Sequence, residues 1–360
     1  MVAVQSSHRL ASGARRLAGT LQCWAFLCWA LQPHLATAQA PPVTTTAETI
    51  QLAATHEVVL PVGSQRVLQL PKLSAGSPAP GRKVRVTAPE YDGTNVFHTL
   101  YLPPDWKSNW QASGKRWPVI FELTGNQWAA CASTGQPQDA SLGYGLSAGQ
   151  FIWVSLPYVN ATGDANETHW WGDQQATIDY LKLNVPRVIK QFGGDSEAVI
   201  LCGFSRGAIG ANFLGLADDE VAKLWTAFVA HDHFDGVRQW NGTDWGTPLA
   251  DYQTSATNRL QRVAGRPYYV RNSKATQAFI EQRLADTTNF TYYDVNMQEI
   301  FGVIPNDIVI HSHNDRWLLK PSGYRDEAWQ WINEALSPQR LSHKTNLIHP
   351  NADGATYSEK

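Results

Sequence analysis

Short apolar runs and segments of helical periodicity alternate along most of this chain. Apolar runs of strand length recur from residue 84 onward, and each ends in a polar or turn-forming stretch. Between two of these runs, Ile178, Leu181, Val185 and Val188 fall on one face at helical spacing. A strand followed by a helix and another strand is the order that builds a parallel sheet. The pattern therefore predicts an α/β fold with a mostly parallel central sheet.

The predicted elements cover residues 84–336. Strands are expected at residues 84–87, 96–102, 117–123, 151–156, 198–202, 224–230, 267–270 and 290–295. Helices are expected at residues 178–192, 206–216, 275–284 and 324–336, with Pro186 kinking or dividing the first of them. Residues 131–149 are rich in glycine and alanine and are expected to form a loop. Residues 57–70 are expected to form a hairpin that turns at Gly63 and Ser64.

A sharp turn is predicted where the strand at residues 198–202 meets the next helix. The sequence there is Gly203-Phe204-Ser205-Arg206-Gly207. Glycines two positions before and after the serine leave room for a strained backbone that raises the serine hydroxyl out of the sheet. Strand-like residues precede the turn and helix-like residues follow it. We therefore interpret Ser205 as a nucleophile.

At this turn, and from His98 to Gly125, the chain resembles the α/β-hydrolase superfamily. Within it, the chain looks most similar to secreted esterases related to polyhydroxybutyrate depolymerases and feruloyl esterases. The resemblance covers residues 83–337. It implies the α/β-hydrolase fold, with helices on both faces of the sheet. It also implies a Ser-His-Asp triad that needs no cofactor or metal.

The resemblance places the catalytic base after the last strand. Two histidines, His311 and His313, lie there in a polar stretch just before the closing helix. We expect His313 to be the base, because similar esterases carry a histidine, a few polar residues and a nearby tryptophan at this point. His311 is the reserve.

The acid of the triad departs from the usual pattern. It commonly follows the strand at residues 267–270, but no carboxylate is present directly after that strand, where Asn272 could orient an imidazole without a charge. Some members of the superfamily place the acid one strand earlier, where this chain has Asp232 and Asp235. We favour Asp235, because the following Gly236 permits a sharp turn.

Backbone N–H groups are expected to bind the oxyanion that forms during ester hydrolysis. The resemblance implies one donor from the turn after the strand at residues 117–123, at Asn126 or alternatively Gln127. The second donor is the residue after the nucleophile, Arg206. The guanidinium of Arg206 could in addition stabilise the oxyanion directly, bind an acidic substrate group, or pair with a neighbouring loop.

Two other functions compete with a serine esterase. His231 and His233 form one His-x-His pair and His311 and His313 another, and alternate residues of an extended segment can bind one metal ion. The first pair partly matches the signature of metallo-β-lactamase-like hydrolases, which requires a histidine where this chain has Gly236. A metal-dependent hydrolase would leave the serine turn unexplained.

The other alternative is a non-catalytic carbohydrate-binding protein on a hydrolase scaffold. Four tryptophans in loop-like contexts could stack on sugar rings, namely Trp170, Trp171, Trp240 and Trp245. In an esterase, Trp170 and Trp171 would instead contact the substrate, which we expect to be a small-molecule or polymeric ester.

Composition and charge exclude several classes of protein. Of the 360 residues, 43% are hydrophobic and 17% are charged, which suits a folded protein with a large core. A net charge of −2 provides no basic face, so nucleic acid is not an expected partner. With the first 38 residues set aside, two cysteines remain, Cys131 and Cys202, which could pair or remain free.

The ends of the chain have a different character from its middle. Basic residues, an apolar run and Ala36-Thr37-Ala38 follow one another in the order of a secretory signal peptide, so we expect residues 1–38 to be removed from a secreted or periplasmic protein. Stable membrane association is not expected. Residues 39–82 read as an N-terminal extension and linker, residues 83–337 as the α/β-hydrolase catalytic domain, and residues 338–360 as a solvated tail.

Overall fold

A twisted sheet of nine strands runs through the part of the protein that the structure describes. The structure is a computed structural model and describes residues 58–131, 133–240, 243–271, 273–302 and 312–337. The strands follow the order β1-β2-β3-β5-β4-β6-β7-β8-β9. Their bounds are Leu73–Ser74 (β1), Lys83–Val86 (β2), His98–Tyr101 (β3), Trp117–Leu123 (β4), Ile152–Leu156 (β5), Gly194–Phe204 (β6), Ala227–His231 (β7), Tyr268–Arg271 (β8) and Phe290–Tyr293 (β9).

Most neighbouring strands of this sheet are parallel. Strand β3 pairs antiparallel with β2 and with β5. From β5 through β4, β6, β7 and β8 to β9 every pairing is parallel. The predicted α/β architecture with a mostly parallel central sheet is therefore confirmed. The parallel strands all end at one edge of the sheet, where the residues that follow them can meet.

Helices lie between these strands. Their bounds are Trp110–Ser113 (α1), Leu142–Leu146 (α2), Gln174–Phe192 (α3), Arg206–Phe213 (α4), Asp219–Ala222 (α5), Leu249–Gln261 (α6), Lys274–Glu281 (α7), Met297–Phe301 (α8) and Gly323–Ala335 (α9). Among the helices within the described ranges, none has both the length and the apolar character that a membrane span requires.

Two apolar cores cover the two faces of the sheet. In β4, Val119 and Phe121 belong to one core and Ile120 to the other, as the two-residue period of a strand requires. The first core also contains apolar residues of α3, α4 and α6, and the second contains those of α2 and α9. Strands buried on both faces read as continuous apolar runs, and for this reason they were predictable.

Three local expectations were wrong. Helix α3 is continuous across Pro186. The stretch expected as a loop at residues 131–149 contains the short helix α2. The expected hairpin is not formed from residue 58 onward: this part of the chain turns at residues 62–63 but contains no strand before β1. Instead, Leu60 and Leu68 are buried in the core on the side of α9.

Candidate active site

The turn after β6 is a strained serine elbow. Ser205 has φ 55° and ψ −118°, a conformation that a residue with a side chain rarely adopts, and α4 begins at the next residue. A Cβ on Gly203 would lie 2.0 Å from the carbonyl oxygen of Gly207, and one on Gly207 would lie 1.8 Å from that of Leu123. Only glycine fits at either position. The predicted elbow is thus present, with its helix packed closely on the sheet.

Strand β7 ends beside this elbow and carries a carboxylate. The backbone N–H of Ser205 donates to the carbonyl oxygen of His231 at 3.1 Å. The next residue, Asp232, has a left-handed backbone with φ 79°, which directs the chain away from the strand. Its Oδ2 lies 2.7 Å from Nδ1 of His313, and its Oδ1 contacts the guanidinium of Arg271 at the end of β8. An imidazole, a carboxylate and a guanidinium are therefore joined at the edge of the sheet.

The ring of His313 packs beside the elbow. Its centroid is 4.6 Å from that of Phe204, the residue before the serine. Burial, followed by the positive charge of Arg271, lowers the pKa of His313 to about 4. The imidazole is therefore neutral at pH 7 and able to accept a proton. The reserve base His311 and the alternative orienting residue Asn272 lie outside the described residues.

The sequence-based preference for Asp235 as the acid is not supported by this geometry. The Asp235 side chain is buried and forms an ion pair with Arg259, whose Nε lies 2.7 Å from Oδ2. The hydroxyl of Tyr252 donates to Oδ1 of the same carboxylate at 2.8 Å. These contacts direct Asp235 toward α6, whereas Asp232 is the carboxylate at His313. The correction is a choice between two residues of one loop.

The loop that carries the base, residues 312–316, is held from several sides. We refer to it as the histidine loop. Nε2 of His231 lies 3.0 Å from the carbonyl oxygen of Asn314, and Nδ1 of His231 lies 2.6 Å from the hydroxyl of Tyr293. The thiol of Cys131 donates to the carbonyl oxygen of His313 at 2.7 Å. Asp315 accepts the N–H of Ser141 at 3.1 Å.

These contacts bear on the metal-dependent alternative, because His231 uses both ring nitrogens within the protein. A carbonyl oxygen can only accept, so Nε2 of His231 donates and Nδ1 accepts from Tyr293. Burial holds the pKa of His231 well below its usual range. In the described ranges, no three His, Cys, Asp or Glu side chains are grouped so that they could hold a metal ion. The histidines therefore do not favour a metal site.

The turn after β4 lies against the nucleophile. We call residues 124–127 the oxyanion turn. A Cβ on Gly125 would lie 3.4 Å from Cβ of Ser205. The N–H of Gln127 donates to the carbonyl oxygen of Thr168 at 2.8 Å, so it is not available to a substrate. The N–H groups of Asn126 and Arg206 form no hydrogen bond with other described residues, which leaves these two predicted donors.

The guanidinium of Arg206 is not directed at a substrate. The side chain is fully buried and donates to the carbonyl oxygens of Gly125, Trp170 and Gly135 at 3.1, 2.7 and 2.8 Å. It also lies 3.9 Å from the centre of the Tyr158 ring. Burial lowers the pKa of Arg206 to about 10, so it stays charged at neutral pH. Direct contact of this guanidinium with an oxyanion or with an acidic substrate group is therefore ruled out.

The predicted tryptophans have unequal access to the site. Trp171 is 5% exposed and stacks on Phe213 at 4.8 Å, so it belongs to the core and has no face free for a substrate. Trp170 is partly exposed, and its ring lies 5.4 and 5.0 Å from those of Trp240 and Trp245. The aromatic group expected here is present, but mostly as packing.

Two residues beside the base were missed by the sequence analysis. Trp128 is 44% exposed, and its ring lies 5.6 Å from that of His313 in an edge-to-face arrangement. His233, considered earlier only as a metal ligand, lies 5.2 Å from the His313 ring and 4.7 Å from the Trp240 ring. Trp128 follows the oxyanion turn closely, and that proximity was the available signal. Cys131 and Cys202 are both free thiols.

Solved esterases resemble this chain at low sequence identity. An S-formylglutathione hydrolase from Agrobacterium tumefaciens is 15% identical, with 71% of this chain and 95% of that chain covered and a TM-score of 0.45. The feruloyl esterase module from Clostridium thermocellum is 12% identical, with 77% and 95% covered and a TM-score of 0.39. A thermostable esterase is 13% identical, with 70% of this chain but 62% of that chain covered and a TM-score of 0.42.

No protein family and no curated protein matches the sequence of this chain. The site is therefore interpreted from its own geometry. By its strand order and its serine elbow the chain has the α/β-hydrolase fold, as the sequence predicted, and its similarity to the solved esterases concerns that fold.

Proposed function

We propose that this protein is a serine carboxylic-ester hydrolase. The observation that carries the proposal is the meeting of three groups at one edge of the sheet. Ser205 stands on a strained elbow, the His313 ring packs against the neighbouring Phe204, and the Asp232 carboxylate lies 2.7 Å from His313. A serine hydroxyl becomes a nucleophile when an oriented imidazole takes its proton, and these groups supply that arrangement.

The reaction would proceed in two halves. Ser205 attacks the ester carbonyl while His313 accepts the hydroxyl proton, and the N–H groups of Asn126 and Arg206 bind the resulting oxyanion. His313 then returns the proton to the leaving alcohol. In the second half, His313 activates a water molecule that releases the acid from Ser205. Asp232 holds the imidazole with its proton on Nδ1 and stabilises the imidazolium.

The substrate is proposed more broadly than the reaction. Trp128 and the partly exposed Trp170 offer apolar surface near the base, which suits an ester with a bulky or polymeric part such as a polysaccharide-linked ester. We also propose that the protein acts outside the cytoplasm, since residues 1–38 have the order of a signal peptide. Those residues lie outside the described ranges.

Replacement of the nucleophile tests the proposed function. Wild type and Ser205→Ala are compared on short p-nitrophenyl esters and on acetylated xylan, and both are treated with a serine-directed phosphonate. We expect the variant to retain its fold, lose turnover and resist labelling, because the oxyanion donors alone leave little catalysis. Equal turnover in the two proteins would refute the proposal. Unchanged activity in the presence of a chelator is expected for both substrates.

A further inference from the structure

The buried guanidinium of Arg206 lies directly behind the oxyanion turn. Apart from the three carbonyl contacts given above, its Nε is 3.4 Å from the carbonyl oxygen of Thr124, and one terminal nitrogen is 3.3 Å from that of Glu167. No carboxylate within the described ranges forms an ion pair with it. A fully buried charge that binds only backbone carbonyl groups has a cost of desolvation that an ordinary packing role does not explain.

One of these carbonyls belongs to the peptide that carries a proposed oxyanion donor. The carbonyl of Gly125 and the N–H of Asn126 are the two ends of the same peptide unit. In a planar trans peptide these two groups point in opposite directions. Because Nε of Arg206 holds the Gly125 oxygen at 3.1 Å, it also fixes the direction of the Asn126 N–H.

The same side chain braces the segment that packs on this turn. Trp170 donates its N–H to Oδ1 of Asn126 at 2.8 Å, and it accepts at its carbonyl from Arg206 at 2.7 Å. Trp170 itself has a left-handed backbone with φ 50°. The oxyanion turn is thus held through its backbone at Gly125 and through its side chain at Asn126, and Arg206 contributes to both.

We propose that the Arg206 side chain is the positioning residue of the oxyanion hole. It acts through the Gly125–Asn126 peptide, and it rests on the serine-esterase function proposed above. A cation at the carbonyl end polarises the peptide and makes its N–H a stronger donor, and a fixed donor needs no rearrangement as charge develops. Arg206 then serves the site twice, since its own backbone N–H is the second donor.

Arginine is specifically suited to this position. Its planar guanidinium presents five N–H donors in fixed directions, and here they reach carbonyl oxygens on both sides of the turn. A lysine ammonium has three donors at one point and cannot span these oxygens. Replacement by lysine therefore keeps the charge and the backbone N–H of residue 206 but releases the Gly125 carbonyl.

Arg206→Lys is compared with a matched variant, Arg325→Lys. Arg325 is also fully buried, donates to the backbone carbonyl oxygens of Arg66 and Ser64, and lies 4.4 Å from the centre of the Trp329 ring. It lies on α9, away from the elbow. Both variants are expected to lower the melting temperature, but only Arg206→Lys is expected to lower kcat, by about 10- to 100-fold with KM nearly unchanged.

A transition-state analogue provides the second measurement. A trifluoromethyl ketone forms a tetrahedral adduct on the serine, so its affinity should fall in Arg206→Lys by the same factor as kcat and stay unchanged in Arg325→Lys. The positioning role is overturned if Arg206→Lys loses activity only in proportion to its unfolded fraction. It is also overturned if KM rises while kcat is preserved.

Two controls separate the possible failures. If Ser205→Ala turns over substrate as wild type does, the proposed function fails and the positioning role fails with it. If Ser205→Ala is inactive while Arg206→Lys keeps its kcat, only the positioning role fails. Should Arg206→Lys not fold, ¹⁵N-labelled wild type is titrated with the trifluoromethyl ketone. The amide protons of Asn126 and Arg206 should both move downfield, and an unmoved Asn126 amide overturns the proposal.

Discussion

At the scale of single residues, two aspartates three positions apart have opposite roles. Asp232 contacts His313, whereas Asp235 is buried against Arg259 and Tyr252. We expect Asp232→Asn to fold normally and to lose about 10⁴-fold in kcat, because the imidazole is then held in the wrong tautomer. Activity and urea unfolding of the purified variant provide the measurement.

Asp235→Asn is the matched comparison for Asp232→Asn. Removing one partner of the buried Asp235–Arg259 pair leaves an uncompensated charge and is expected to cost about 3–5 kcal/mol of unfolding free energy. The fraction that remains folded should keep the kcat of wild type. A large loss of kcat in folded Asp235→Asn, with Asp232→Asn active, would reverse the assignment made here.

Arg271 controls the pH range in which the base works. The charged or titratable groups that face His313 are Asp232, Arg271, His233, Arg238 and Asp315.

Burial and the charge of Arg271 hold the pKa of His313 at about 4, so the neutral base persists to lower pH than an ordinary histidine allows. The acidic limb of kcat/KM is expected below pH 6. In Arg271→Gln that limb should move to higher pH, because the pKa of His313 rises when the neighbouring positive charge is lost. Arg271→Lys keeps a charge and should move the limb less. Identical pH profiles in wild type and Arg271→Gln would contradict this role.

Sequence reasoning reached the individual residues unevenly. Ser205 lies in a local motif, and the elbow needs only its own glycines and the adjacent strand. The choice between Asp232 and Asp235 depends on which way one loop turns, and Gly236 favoured the wrong residue. Contacts made across the sheet decided it, from Arg271 on β8 and from Arg259 on α6. Such partners are far apart in sequence and leave no local pattern.

At the scale of the elements, helix α3 shows how tertiary packing overrides local preference. It runs unbroken through Pro186, which is exposed, while Val185 and Val188 beside it are buried. Proline lacks the N–H that would bond to the carbonyl of Lys182. We expect Pro186→Ala to raise the unfolding free energy by about 2 kcal/mol, after allowance for the stiffer unfolded chain that proline provides.

Urea unfolding monitored by circular dichroism checks this expectation for α3. Leu183→Ala serves as the control, since Leu183 is 42% exposed on the same helix and should change stability by less than about 0.5 kcal/mol. A lower stability of Pro186→Ala would show that the proline is required by its surroundings.

The strands were easier to predict than some of the helices. The run at residues 117–123 is buried at every position, so its bounds coincide with those of β4. Helix α6 was missed because only Tyr252, Ala256 and Leu260 of its thirteen residues are buried, and its remaining surface is polar. A weak apolar stripe gives little periodic signal without knowledge of what it packs against.

At the scale of the whole molecule, the segment before residue 83 is part of the folded core. Leu60 and Leu68 are buried, and the N–H of Leu60 donates to Oδ1 of Asn333 on α9 at 2.8 Å. A chain that begins at Val58 should be as stable as one with a longer N-terminus. A chain that begins at Lys83 should lose about 4 kcal/mol or more, since it exposes the surface that both leucines cover.

Denaturation midpoints of the two shortened proteins provide this test. Equal midpoints would restore the original interpretation of residues 39–82 as an extension without a structural role. The sequence could not indicate the packing, because two leucines in a stretch rich in glycine and proline show no periodicity. Their partners on α9 lie more than 250 positions away in the chain.

The presence of Asp232 on β7 separates a position in the chain from a position in space. Adjacent parallel strands lie about 4.8 Å apart, so a carboxylate can leave the end of one strand for the end of its neighbour and still reach the same imidazole. Here Arg271 stands on the strand that usually carries the acid, and it binds the carboxylate that replaced it. An alignment column would record a missing acid, whereas a superposition of side chains would record an acid that has changed its address.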